Sequence, residues 1–397
     1  MNQSELWTKS FVIISLINFF IVLNFYLLIV IVAPYALQTF HSTLSQAGLA
    51  ASIFVIGSVI GRLFSGKWIE SVGRKKTLII GTFLSFIMSL VYFDIYNLWV
   101  LFAIRLVHGI AYGVAATATG TIVSHIIPKS RRGEGIGYYM LSVTLATAIG
   151  PFLGMLLNHH GSFNLIFSVC LISALLSIAC ALIIFVPEMQ LNLEQTEEMK
   201  GFKWSNFFES NAIPIAFICA IMYFCYSSIL AFLTIYTKEI DLVEAASFFF
   251  IVYSVVILVS RPFTGRLFDV RGENITMYPA FISVMLGMIL LSQTYHSTTL
   301  LLAGAFLGFG MGIVQSCGQA IAVKLTPHHR LGLAISTFFI FADIAIGIGP
   351  FLLGYLIPFM GYRGVYVAMS IIALLCIFLY YVWHGRKTIP VKHNHVI

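Results

Sequence analysis

Long apolar runs separated by short polar loops dominate the chain. A helix needs about 20 apolar residues to cross a hydrocarbon layer ~30 Å thick at 1.5 Å per residue. Runs of that length fall at roughly residues 11–35, 47–68, 76–95, 98–124, 135–157, 163–186, 212–236, 245–268, 276–293, 298–322, 332–356 and 362–384, and predict twelve transmembrane helices. The first run is too long for the apolar core of a cleavable leader, so it is expected to remain as the first helix. The longest polar stretch, Pro187 to Asn211, carries Glu188, Glu194, Glu197, Glu198, Lys200, Lys203 and Glu209 between the sixth and seventh runs. Its Phe202, Trp204, Phe207 and Phe208 suit a segment lying on a membrane surface. The expected organisation is an N-terminal six-helix half over 1–186, a cytoplasmic linker over 187–211, and a C-terminal six-helix half with a cytoplasmic tail over 212–397.

Charge then orients the spans. One set of loops holds Arg74, Lys75 and Lys76, then Lys129, Arg131 and Arg132, then Arg266 and Arg271, then Lys324 and Arg330, with Arg386 and Lys387 in the tail. The opposite set holds only Lys238 and Arg363. Cationic loops stay on the cytoplasmic side, so both termini are expected there, in a multi-pass protein of the cell membrane. An even number of spans is required, and twelve satisfies it. The net charge of +7 is therefore a topological signal and calls for no nucleic-acid partner.

Composition sharpens this. Hydrophobic residues make up 59% of the 397 and charged residues only 9%, against about 25% charged in a soluble domain. Six cysteines, Cys170, Cys180, Cys219, Cys225, Cys317 and Cys376, all sit in apolar runs without metal-ligand spacing, so they read as small hydrophobes. No metal site, cofactor, nucleotide loop or nucleophile elbow is expected, and the loops are too short to hold a catalytic or ATP-hydrolysing domain. An enzyme or receptor reading finds no support, and a functional monomer is the default.

Sliding the chain against itself by 199 positions superposes Arg62 on Arg261, Gly66 on Gly265 and Gly73 on Gly272. The same offset places Gly109 and Gly113 on Gly308 and Gly312, and Pro128, Arg131 and Gly133 on Pro327, Arg330 and Gly332. Gly150-Pro151-Phe152-Leu153 likewise falls on Gly349-Pro350-Phe351-Leu352. Gly, Pro and Arg recurring at one offset mark a duplication of six spans in the same orientation. That is the parallel-repeat plan of transporters whose central site lies between two six-helix halves.

Three motifs resemble those of the major facilitator superfamily, in its twelve-span drug/proton antiporter branch, and the resemblance covers essentially the whole chain. The first is Gly66-Lys-Trp-Ile-Glu70-Ser-Val-Gly73-Arg74-Lys75-Lys76, similar to Gly-x-x-x-Asp-Arg-x-Gly-Arg-Lys, with Glu70 for Asp and Ser71 for Arg. A degenerate copy, Gly265-Arg-Leu-Phe-Asp269-Val-Arg271-Gly272, keeps the Asp. Gly66 permits close helix approach, and an acid at a helix end can meet the positive start of a neighbouring helix. Gly66, Glu70, Gly73, Arg74, Asp269 and Gly272 are thus expected to form a conformational latch, whereas Arg74 to Lys76 alone would be a positive-inside cluster.

The second motif, Arg105-Leu-Val-His108-Gly109 in span four, is similar to Arg-x-x-Gln-Gly, whose arginine the family ties to proton coupling. Arg105 either faces a wet cavity or partner, or snorkels outward from about 10 Å inside its helix. His108 either titrates or serves as a neutral hydrogen-bonding stand-in for Gln. The third motif runs from Gly137 through Gly150-Pro151-Phe-Leu-Gly154 in span five and resembles the Gly-Pro-x-x-Gly-Gly antiporter motif, with Met155 replacing the last Gly. Pro151 bends the helix, small residues let a partner come close, and Gly349-Pro350 repeats the kink in span eleven. The resemblance implies export.

Of fifteen acidic residues, Asp343 stands apart, about ten residues into span eleven. A carboxylate there is suited to alternating between protonated and ionised forms, as a proton-coupled carrier requires. It could instead stay protonated in helix packing, bind a cationic substrate, or pair with Arg105. Its repeat counterpart is the neutral Thr144. Asn24, Tyr223, Tyr226, Gln315 and Gln319 are further candidates to line a substrate cavity, and the two glutamines, four apart, share a helical face. The leading expectation is a secondary transporter that exports small organic molecules, drug-like compounds or a metabolite, by proton antiport and alternating access. Its partners are then a small-molecule substrate, protons and the lipid bilayer. Export of one metabolite such as a siderophore or sugar, or an importer or facilitator, are the alternatives.

Overall fold

The computed structural model describes residues 6–42, 44–160, 163–188 and 203–387. They form α1 (Lys9–Phe40), α2 (Leu44–Val72), α3 (Arg74–Val91), α4 (Leu98–Ile126), α5 (Arg132–His160) and α6 (Phe163–Ile183). After the linker come α7 (Ile213–Glu239), α8 (Val243–Arg271), α9 (Asn274–Ser292), α10 (Ser297–Lys324) and α11 (Leu331–Trp383). Twelve stretches of these helices are long and apolar enough to cross a membrane, two of them in α11. Large apolar side chains such as Phe185, Phe263 and Phe359 stand exposed, as lipid-facing residues should.

Local chemistry sets the helix ends. Thr8 accepts a hydrogen bond from Phe11 N at 3.2 Å and Asn97 one from Val100 N at 2.9 Å, so each satisfies a free donor at a helix start. Gly73 and Gly272 close α2 and α8 with φ of 104° and 89°, a conformation that glycine alone adopts cheaply. These two residues are superposed by the sequence repeat, as are the short 3-10 turns Lys129–Arg131 and His328–Arg330 that precede α5 and α11. The duplication is thus visible in backbone geometry. The sequence places a loop between the last two spans, but the helix continues through Ile357-Pro358-Phe359-Met360 and turns only at Gly361, where φ is 67°. Those four residues are apolar, and a helix satisfies their backbone groups without water.

The residues sort into two compact units. The first holds Met1–Ile127, Ser142–Ser210 and Thr326–Ile340; the second holds Pro128–Leu141, Asn211–Leu325 and Phe341–Ile397. The starts of α5 and α11 therefore each belong to the unit built mainly from the other sequence repeat. Within the first unit, α2 and α4 touch backbone to backbone, and a Cβ on Gly57 or Gly109 would strike the carbonyl of Leu106 or Phe54 respectively. Within the second, α8 and α10 repeat the arrangement, with Gly308 against the carbonyl of Tyr253. Small residues at such contacts are how helices associate where no hydrophobic effect drives them together. Trp204, Phe207 and Phe208 of the linker are described, with Trp204 largely exposed and stacked on Phe208, whereas Phe202 lies outside the described residues.

Candidate transport site and conformational contacts

Arg105 is completely buried on α4, so it does not snorkel outward. Its Nε donates to Ala50 O at 3.0 Å, its Nη1 donates to the Tyr92 hydroxyl at 3.5 Å, and its guanidinium lies 4.5 Å from the centre of the Phe54 ring. One turn on, His108 Nδ1 lies 3.3 Å from the same hydroxyl, and its Nε2 lies 3.0 Å from Ser85 Oγ. Arg105, Tyr92, His108 and Ser85 form one buried polar chain across α3 and α4. Asn24 reaches this chain through Ser89: its Nδ2 donates to Ser89 Oγ of α3 at 3.4 Å, and the Ser89 hydroxyl donates to Ser85 O at 2.9 Å. The same Nδ2 donates to Cys170 O at 2.9 Å and to Ser173 Oγ at 3.3 Å, tying α1 to α6.

In the second unit, Arg261 of α8 is 1% exposed, and its Nη2 donates to Gln315 Oε1 at 2.6 Å. Tyr226 stacks on Tyr253 with ring centres 5.4 Å apart, and Tyr223 and Tyr253 are near enough to Arg261 to interact electrostatically. Gln315 is half-buried, while Gln319, one turn further, is buried, with neither amide atom hydrogen-bonded among the described residues. Asp343 is half-buried on α11, and Thr144, its repeat counterpart, is buried on α5.

The two copies of the first motif are used differently. In the second unit, the Asp269 carboxylate accepts from Gly133 N at 2.7 Å and Glu134 N at 2.9 Å, and so caps the start of α5. A Cβ on Gly265 would press on the Gly133 carbonyl at 2.7 Å, so the glycine is what lets α8 come that close. In the first unit, Glu70 binds Arg74 through two hydrogen bonds of 2.8 and 2.9 Å, both side chains buried. Glu188 of the linker accepts from Arg74 N at 2.8 Å and Lys75 N at 2.9 Å, capping α3. Glu209 meets Arg330 Nε at 2.5 Å and donates its backbone N–H to Thr337 at 2.9 Å, while Ser336 Oγ donates to Arg62 O at 2.7 Å. The start of α11 is thereby anchored as the start of α5 is, with different residues. Gly150 packs its face on Tyr26 of α1, and Gly349 packs on Ser227 of α7, each beside its proline, Pro151 or Pro350.

The sequence model of the Major Facilitator Superfamily matches residues 14–298 and 277–395. The chain belongs to that superfamily. It is 25% identical over 354 residues to an uncharacterised transporter of the same type from Methanocaldococcus jannaschii, covering 87% of this chain and 90% of that one. It is also 25% identical over 345 residues to the multi-drug resistance efflux pump PmrA of Streptococcus pneumoniae, covering 84% of each. Its fold is similar to the crystal structure of the human organic anion transporter MFSD10, with a TM-score of 0.78 over 94% of this chain and 99% of that one at 14% identity. That likeness speaks to fold alone. Membership and the twelve spans make this a multi-pass membrane transporter and not an enzyme.

Beyond the motifs, the transporter holds a cluster that the sequence did not reveal. Glu273, directly after Gly272, receives a 2.6 Å hydrogen bond from Lys324 Nζ and a second from His384 Nε2. Burial pushes its carboxyl upward, but the bonds to His384 and Lys324 outweigh burial and hold it below the usual carboxylate range. A depressed folded-state value contributes stability above the unfolded-state value of about 4.3, and this is lost as pH falls through the folded one. Glu273→Gln is therefore expected to cost roughly 1.5–3 kcal/mol at neutral pH, with the gap to the parent closing below about pH 4. Thermal unfolding of both proteins across pH checks this, and a gap independent of pH would refute the ionic reading.

The sequence named Arg261 only as a repeat marker, Arg330 as a repeat marker and a cytoplasmic loop charge, and Glu188 and Glu209 only as linker acids. Their partners lie more than fifty positions away; Glu70 and Arg74 are only four apart, but they stand on α2 and α3 either side of the turn at Gly73.

Proposed function

We propose that this superfamily member exports small organic molecules by proton antiport and alternating access, with both termini in the cytoplasm. The observation that carries the reading is the anchoring of two repeat-related helix starts, α5 on Asp269 and α11 on Glu209, through polar contacts that can be broken and remade. Alternating access needs two arrangements that differ by a few such contacts. Glu70 with Arg74, and the glycines Gly66, Gly73 and Gly272, serve the same latch. Asp343 carries the proton, and the buried Arg105–Tyr92–His108–Ser85 chain tunes that coupling. Tyr223, Tyr226 and Gln315 line the substrate path. Export as the direction is supported by the Gly150-Pro151 motif of α5 and by the similarity to a multidrug efflux pump.

The test is proton movement in sealed vesicles of known orientation on addition of a panel of organic solutes. A solute that drives protons in the opposite direction to itself supports antiport. Solute flux with no proton movement, or in the same direction as protons, would replace antiport with facilitation or symport.

A further inference from the structure

Among the described buried arginines, Arg74 meets Glu70 and Arg330 meets Glu209, while Arg105 donates to Ala50 O and the Tyr92 hydroxyl. Arg261 makes a single such contact among the described residues. Gln315 takes one hydrogen bond from Nη2, while Nε and Nη1, equally buried, have no acceptor among the described residues. The groups acting on it electrostatically are Tyr253, Tyr223 and Cys317, none of them a carboxylate. A guanidinium carries five N–H donors, and leaving several unanswered away from water is costly. A ligand that brings an anion to this point removes the cost, and that relief becomes binding free energy. Gln315 aligns the guanidinium and is itself half-buried, while Tyr223, Tyr226 and Tyr253 provide aromatic surface around it.

We propose that Arg261, oriented by Gln315, forms an anion-binding subsite, and that the transported solute is an organic anion with its carboxylate or phosphate on an aromatic or apolar body. The inference rests on the transport reading above and adds the charge class of the substrate. A fork of parallel N–H groups matches carboxylate and phosphate alike, which lysine would meet only as a point charge.

Binding is measured on the purified, detergent-solubilised protein by calorimetry and thermal shift, with four probes of similar shape: 2-naphthoate, 2-naphthyl phosphate, neutral 2-naphthamide and the cation 2-naphthylmethylammonium. The parent is expected to bind at least one anionic probe tenfold or more tightly than the neutral and cationic ones. Arg261→Gln should erase that preference, Arg261→Lys should retain part of it, and Gln315→Leu should weaken the anion severalfold. Equal or tighter binding of the cation, no binding of either anion, or a preference that survives Arg261→Gln overturns the proposal. Size-exclusion profiles establish that each variant is folded; if Arg261→Gln is not, Gln315→Leu and Arg261→Lys decide, and anion affinity unchanged in both refutes the site. No gradient is applied, so a failed binding result leaves proton antiport standing, and absent proton movement leaves the binding result standing.

Discussion

Asp343→Asn is expected to abolish substrate-driven proton movement while leaving the protein folded. Asparagine has nearly the shape of aspartate and keeps a hydrogen-bonding carbonyl, but it does not titrate. A carrier that must bind a proton on one face and release it on the other therefore loses the exchange step, and coupled flux should fall by roughly 100-fold, the scale on which a positioned proton-transfer group acts. Downhill solute exchange needs no proton and should persist. The half-buried position of Asp343 fits this use: enough contact with the helices to hold the side chain, enough exposure for a proton to reach it. Proton release traces from parent and mutant vesicles, run beside solute counterflow, separate the two activities. Coupled flux undiminished in Asp343→Asn would remove the residue from the mechanism.

Arg105 shows why the sequence could not finish the assignment. Its depth in an apolar run was readable, and so was the improbability of an idle charge there. Which partners answer it was not, because Ala50 O, Tyr92 and Phe54 come from two other helices and from both sides of the motif. The spans, their number and the duplication were legible because bilayer thickness fixes helix length and because Gly, Pro and Arg recur at one offset. The motif acids were legible as a type and not as a geometry. Asp269 reaches across to backbone donors of α5, whereas Glu70, one methylene longer, closes on Arg74 in its own neighbourhood. Asn24 and Gln319 were read as cavity residues from polarity alone, which carries no information on their partners. Asn24 ties α1 to α6, and Gln319 is buried. Arg261 carried no motif of its own, so only its two buried donors with no acceptor among the described residues, visible in three dimensions, draw attention to it.

That difference between the motif copies makes Asp269 the sharper test of the latch. Two backbone donors at the start of α5 are satisfied by one carboxylate, with Arg132 attracting it and Glu134 repelling it from the same helical turn. Removing a cap of this kind costs about 1–2 kcal/mol, which corresponds to a roughly 5- to 30-fold change in the population of a released helix start. Asp269→Ala should accordingly speed amide exchange over residues 129–141 by about that factor, and Asp269→Asn, which keeps an acceptor but not the charge, by less. Exchange elsewhere in the second unit should be unaffected, since Arg261 with Gln315 and Glu273 with Lys324 do not depend on the cap. Transport should fall in the same order, Ala below Asn below parent, because a latch that closes less often completes fewer cycles. Exchange mass spectrometry reads the first effect and vesicle flux the second. Unchanged exchange in Asp269→Ala would show that close packing of Gly265 on Gly133 holds α5 by itself. Faster exchange with full transport would leave the cap as a contributor to stability and take it out of the transport cycle.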